Sequence, residues 1–165
     1  MMLQRIFRYI TLSIILAIMA SILLILIPAS TVFGEKTGSV ISIVLAAMFW
    51  ISLVLEQIFF WLADTGRKKF LKRFFTGRKI VNPSIGIISF GCNKEARVSD
   101  LAFFAALITT VCLIVFQAQN QWLICGALSV LLLSFTFHCI FNGITYRYIK
   151  VFRKIKKEPK KHENI

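Results

Sequence analysis

The sequence predicts an all-α integral membrane protein: four transmembrane helices as two antiparallel hairpins, plus a short amphipathic interfacial helix in the cytoplasmic connector. Three observations carry that expectation. Of 165 residues, 58% are hydrophobic and 16% charged, against roughly 45–50% and about 25% in a soluble domain. The mean hydropathy is +0.77, and the apolar residues fall in long runs. A bilayer core about 30 Å thick needs roughly 20 residues of helix, which is what these runs supply. Finally, 20 Lys and Arg against 7 Asp and Glu leave a net charge of +13, and the cations gather on one side of the runs. A soluble globule, a disordered chain and a disulfide-stapled secreted domain are all poor fits to this composition.

The first run spans Ile10 to Ile27, with Pro28 as its expected stop. Arg5 and Arg8 precede it, as they would in a signal peptide. Its apolar run of 18 residues exceeds the h-region of about 7–15, however, and only a weak site, Pro28-Ala29-Ser30, follows, so an uncleaved span is favoured. The second run, Val40 to Ala63, closes on Asp64 and the basic Arg67-Lys68-Lys69. The third, Leu101 to Phe116, is entered through Ser99-Asp100, residues suited to an N-cap. The fourth runs from Trp122 to Phe141. Trp122 at one end and Tyr146 and Tyr148 at the other suit the two aromatic belts of a membrane.

The charges orient these spans. With alternating sides, nineteen of the 20 Lys and Arg fall in residues 1–9, the connector 64–100 and the tail from Arg147; Lys36 alone falls opposite. The positive-inside rule then puts both termini and the connector in the cytoplasm of a multi-pass protein of the cell membrane. Residues 1–150 form the four-span domain and 151–165 a basic tail. The outer loops, 28–39 and 117–121, are short enough to force neighbouring spans into hairpins. Two small-residue stripes, Ser13-Ala17-Ser21 and Ala102-Ala106-Thr110, are candidates for close helix contact.

After the second span comes Arg67-Lys68-Lys69-Phe70-Leu71-Lys72-Arg73-Phe74-Phe75. At 100° per residue Phe70, Leu71, Phe74 and Phe75 share an arc, Lys68, Lys69, Lys72 and Arg73 fall largely opposite, and Arg67 intrudes on the apolar side. Aromatics in the acyl boundary and cations on phosphates make an interfacial helix. It would fix topology or dock anionic lipid or a partner protein, at about 1 kcal/mol per cation.

Ionisable groups inside a span are costly unless paired or wetted. Glu56 and His138 are the two here. Each lies 16 residues in from its span's outer end, about 24 Å deep. Ser134, His138, Asn142 and Tyr146 form an i+4 row that drifts slowly round one face. The expectation is a shared intramembrane polar site of Glu56, His138, Asn142, Ser134 and Tyr146. It would be a structural pair, a proton or ion site, or an acid–base pair acting on lipid; snorkelling of either group to water is the remaining option.

The cysteines add no chemistry. Cys112, Cys125 and Cys139 lie in spans and Cys92 in the connector, with no Cys-x-x-Cys pair. No metal or cofactor is expected, and no Walker or dinucleotide motif is present. The basic tail has the charge for nucleic acid, but its aromatics Tyr148 and Phe152 belong at the membrane edge, so nucleic acid is not expected as a partner. The expected partners are the bilayer with its anionic lipids, and another membrane protein or a second copy. Three functions are compatible with these features, in this order: a non-enzymatic accessory or partner-binding subunit of a membrane complex; a small oligomeric transporter or channel using Glu56 and His138; and a lipid-modifying enzyme, disfavoured by a connector poor in carboxylates.

Overall fold

The computed structural model describes residues 2–74, 96–117 and 119–142. All regular structure among them is helical: α1 (Met2–Ala29), a 3-10 turn (Ser30–Phe33), α2 (Glu35–Phe74), α3 (Arg97–Val115) and α4 (Gln121–Asn142). Four helices are long and apolar enough to cross a membrane. Helix α1 packs on α2 and α4, and α3 packs on α4.

Helix boundaries differ from the sequence reading, among them two at residues that it singled out. Pro28 does not stop α1, which runs to Ala29 before tightening into the 3-10 turn. One turn from the end of a helix, little of the backbone ladder remains for proline to break, and the hydroxyls of Ser30 and Thr31 donate to the carbonyls of Ile27 and Pro28 at 2.7 and 2.9 Å. The cap of α3 also differs. Its N-cap is Ala96, without a side-chain bond; Ser99 instead donates to the Ala96 carbonyl at 2.8 Å, and Asp100 is buried in the first turn. Helix α4 is capped by a residue outside its apolar run: the Asn120 side-chain oxygen accepts from the backbone N–H of Trp122 and Leu123 at 3.1 and 3.3 Å.

A repeat of alternating three- and four-residue steps governs the α1–α2 contact. On α1, Ile6, Ser13, Ala17 and Ala20 are at most 1% exposed, with Ile10 half-buried in the same row. On α2 the facing row is Ser52, Glu56, Phe59, Ala63, Gly66 and Phe70. This spacing puts one stripe of each helix against the other. The pairs keep a nearly constant register: Ile6 meets Gly66, Tyr9 stacks near Phe59 with ring centroids 6.1 Å apart, Ser13 reaches Glu56, and Ser30 touches Gly38. Residue numbers rise on one helix as they fall on the other. The stripe Ser13-Ala17-Ser21 is wholly buried, and its small side chains let α1 come close to its neighbours. Of the second stripe, Ala106 is buried while Ala102 and Thr110 are partly exposed.

The segment 67–74 is the last part of one continuous α2, not a helix set apart from it. Arg67 and Phe70 are 2% and 3% exposed, so both face protein. Lys68 and Lys69 are exposed, and Lys68 pairs with Asp64 at 2.7 Å. Phe75 lies outside the described residues.

Glycine is required where α1 turns into α2. Gly34 sits at φ 82, ψ 167, a region essentially closed to other residues. A Cβ on Gly38 would stand 2.6 Å from the Ser30 carbonyl oxygen, whereas one on Gly66 would meet only the Ile6 side chain at 3.0 Å. Backbone cannot move aside as a side chain can. Gly38→Ala should therefore cost about 1–3 kcal/mol by overpacking, and Gly66→Ala less than about 1. Unfolding in mild detergent checks the order, and equal losses would contradict this packing.

Candidate functional site

The polar side chains of the spans meet in three places. At the α1–α2 seam, the Ser13 hydroxyl donates to one carboxylate oxygen of Glu56 at 2.9 Å, and the Gln57 amide donates to the other in a short hydrogen bond. Glu56 is 1% exposed and Ser13 fully buried. Two donors, one on each carboxylate oxygen, are what a carboxylate out of water requires.

Between α3 and α4, His138 Nδ1 lies 2.6 Å from an Asp100 carboxylate oxygen. His138 is 0% and Asp100 4% exposed. The same two helices also meet at Phe103 and Phe135, ring centroids 5.8 Å apart. The third place joins α1 to α4. Ser129 donates to the Ser21 carbonyl at 3.1 Å, and Ser21 donates back to the Ser129 carbonyl at 3.4 Å. This reciprocal exchange lets two backbones lie close without an unpaired hydroxyl.

The shared site expected from matched depth is thus divided. Glu56 binds Ser13 and Gln57, and His138 binds Asp100. The two contacts adjoin across one turn of α4, because the residue after His138, Cys139, lines a small hollow with Glu56, Gln57, Phe60, Phe135 and Thr136. The hollow is about 20 Å³, room for about one water. Ser134 faces α3, beside Val98, Ser99 and Ala102, and its hydroxyl donates to its own helix at Val130 and Leu131. The Asn142 side chain and Tyr146 lie outside the described residues. Among the described residues no group of three or more His, Cys, Asp or Glu could hold a metal.

Arg67, the cation that broke the amphipathic pattern, stands against the Phe60 ring at 5.7 Å from its centroid, with Nε unbonded. The ring face offers the guanidinium a cation–π contact.

Comparison with known proteins returns no match to a family model, a curated protein or a solved structure.

The Asp100–His138 bond has a measurable consequence. Removing one partner takes a buried hydrogen bond from the other, at about 1–3 kcal/mol. Asp100→Ala and His138→Ala should each destabilise the protein by that order, and the double variant by scarcely more than either alone. Additive losses would show that the two groups do not interact.

Proposed function

We propose that the chain is a non-enzymatic multi-pass protein of the cell membrane, serving as an accessory, partner-binding subunit of a membrane complex. One observation carries the reading. Glu56, Asp100 and His138 each bond to a protein partner, and the hollow beside Glu56 has space for a water but not for a substrate. Groups so engaged serve cohesion of the bundle more readily than transport or acid–base chemistry. The rest of the span surface is largely apolar side chain, with Ile43, Ile108 and Leu101 each more than 60% exposed. Lipid or another membrane protein suits such a surface.

On this reading the spans form two antiparallel hairpins, α1–α2 and α3–α4, with both termini and the long connector in the cytoplasm. The register of α1 on α2 and the charge asymmetry support that arrangement. Exposed Lys68 and Lys69 then lie at the inner headgroups and favour anionic lipid. The polybasic tail takes the same membrane-facing part, with no nucleic-acid partner.

Two measurements test this. In intact cells a Glu35→Cys protein should react with a membrane-impermeant thiol reagent, while Cys92 should react only after the membrane is opened. Reversed accessibility would overturn the orientation. Purification in mild detergent should bring down a second membrane protein in fixed stoichiometry. Ion or solute flux through vesicles holding this chain alone would overturn the accessory role.

A further inference from the structure

Helix α2 carries a second seam, opposite the one that grips α1. Ile43, Ala47, Trp50, Val54, Gln57 and Trp61 recur at steps of four and three, the period of a helix pair. All six are exposed; Ile43, Trp50, Val54 and Trp61 are 67, 61, 55 and 65% exposed. At 100° per residue they lie within about 40° of one line. Glu56 and Ser52, on the α1 side, lie nearly opposite.

Two of the six have polar atoms that lipid cannot satisfy. Trp50 is ten residues in from Val40, about 15 Å, at the middle of a core about 30 Å thick. Tryptophan belongs at the membrane interface, where its indole N–H meets water; at the centre and exposed, that donor calls for a protein partner. Gln57 donates to Glu56, and an amide has a second N–H and a carbonyl oxygen besides. These are a donor and an acceptor at membrane depth on an exposed face.

We propose that this seam pairs two copies of the chain about a two-fold axis along the membrane normal. Copies inserted in the same sense bring identical residues to identical depth. Gln57 then meets the same amide, which is self-complementary: each N–H finds the other's carbonyl. Ala47 lets the helices approach on the outer half, and a polar residue in an apolar seam fixes register. A different protein would have to supply a matching amide at the depth of Gln57; a second copy does so by symmetry. The inference goes beyond the accessory reading, because it identifies the occupant of this face whatever the chain binds elsewhere.

Disulfide cross-linking in membranes tests it, using the full chain with a cysteine added singly and the parent chain as the blank for its own four cysteines. Ala47→Cys and Val54→Cys should give a strong band at twice the chain mass under mild oxidation. Val44→Cys, Met48→Cys and Leu55→Cys, also exposed but about 100° or more round the helix, should match the blank. In reconstituted vesicles Gln57→Leu should weaken pairing about 3- to 10-fold, and Gln57→Asn less. The Val54→Cys result keeps Gln57 and so does not depend on that variant folding. Equal cross-linking on and off the seam, or seam adducts only to a different protein, would overturn the proposal. A dimer on the seam with no second protein co-purifying supports it while counting against the accessory role; a heterologous partner on the seam does the reverse.

Discussion

Hydrocarbon offers no hydrogen bonds, so a carboxylate inside a span must find its donors on the protein. Glu56 is the strictest case in this chain, and much of the bundle follows from it. Its carboxylate takes one donor from α1, at Ser13, and one from its own helix, at Gln57. For Ser13 to reach it, α1 and α2 must lie close over several turns. That closeness is met by Ala17 and Ala20 on one helix and Ala63 and Gly66 on the other. Gly34 and Gly38 then let the chain turn tightly enough to hold the register. The same rule repeats at Asp100–His138 and at the Ser21–Ser129 exchange, so among the described residues the α1–α2, α3–α4 and α1–α4 contacts each contain a polar lock within apolar packing.

These locks differ in kind. A serine–backbone exchange costs little when it breaks, since a hydroxyl can turn back to its own helix, as Ser129 already does toward Cys125 at 2.8 Å. A buried carboxylate has no such refuge. Bundle integrity therefore depends more on Glu56 and on the Asp100–His138 pair than on the serines between α1 and α4. Helix α2 is distinctive in having two opposed stripes of the same period, one engaged by α1 and one open along the bilayer. A helix with two such stripes is suited to standing between two partners.

Much of this was legible in the residues. Composition alone announces helices long and apolar enough for a membrane, and each apolar run falls on one of the four helices, though α1 and α2 extend well beyond theirs. The stripe Ser13-Ala17-Ser21 pointed to a close contact that is buried throughout. Matched depth does not pair the ionisable groups: Glu56 binds Ser13 and Gln57, and His138 binds Asp100. Depth says which groups are level; it does not say which helices touch. Folding each pair of spans about its short loop is the better guide. About a centre near Gln119, His138 reflects onto Asp100; about Gly34, Glu56 reflects to within one residue of Ser13. The capping pattern fails at Asp100 because four residues at the start of α3, 97–100, belong to the helix and not to the connector; Pro28 stops nothing because a proline at a helix end has little ladder left to break, and Phe70 is buried against protein rather than set in lipid.

The central claim is that Glu56 is held by Ser13 across the α1–α2 seam. A double-mutant cycle with Ser13→Ala and Glu56→Ala, read as unfolding free energy in mild detergent, measures that hold directly. Hydrogen bonds between membrane helices couple by about 0.6 kcal/mol on average and up to about 1.7, and a buried carboxylate belongs at the upper end. A coupling of about 1 kcal/mol or more is expected. Losses that add to within about 0.3 kcal/mol would mean that the two side chains do not depend on one another, and the account of the bundle built on them would fail.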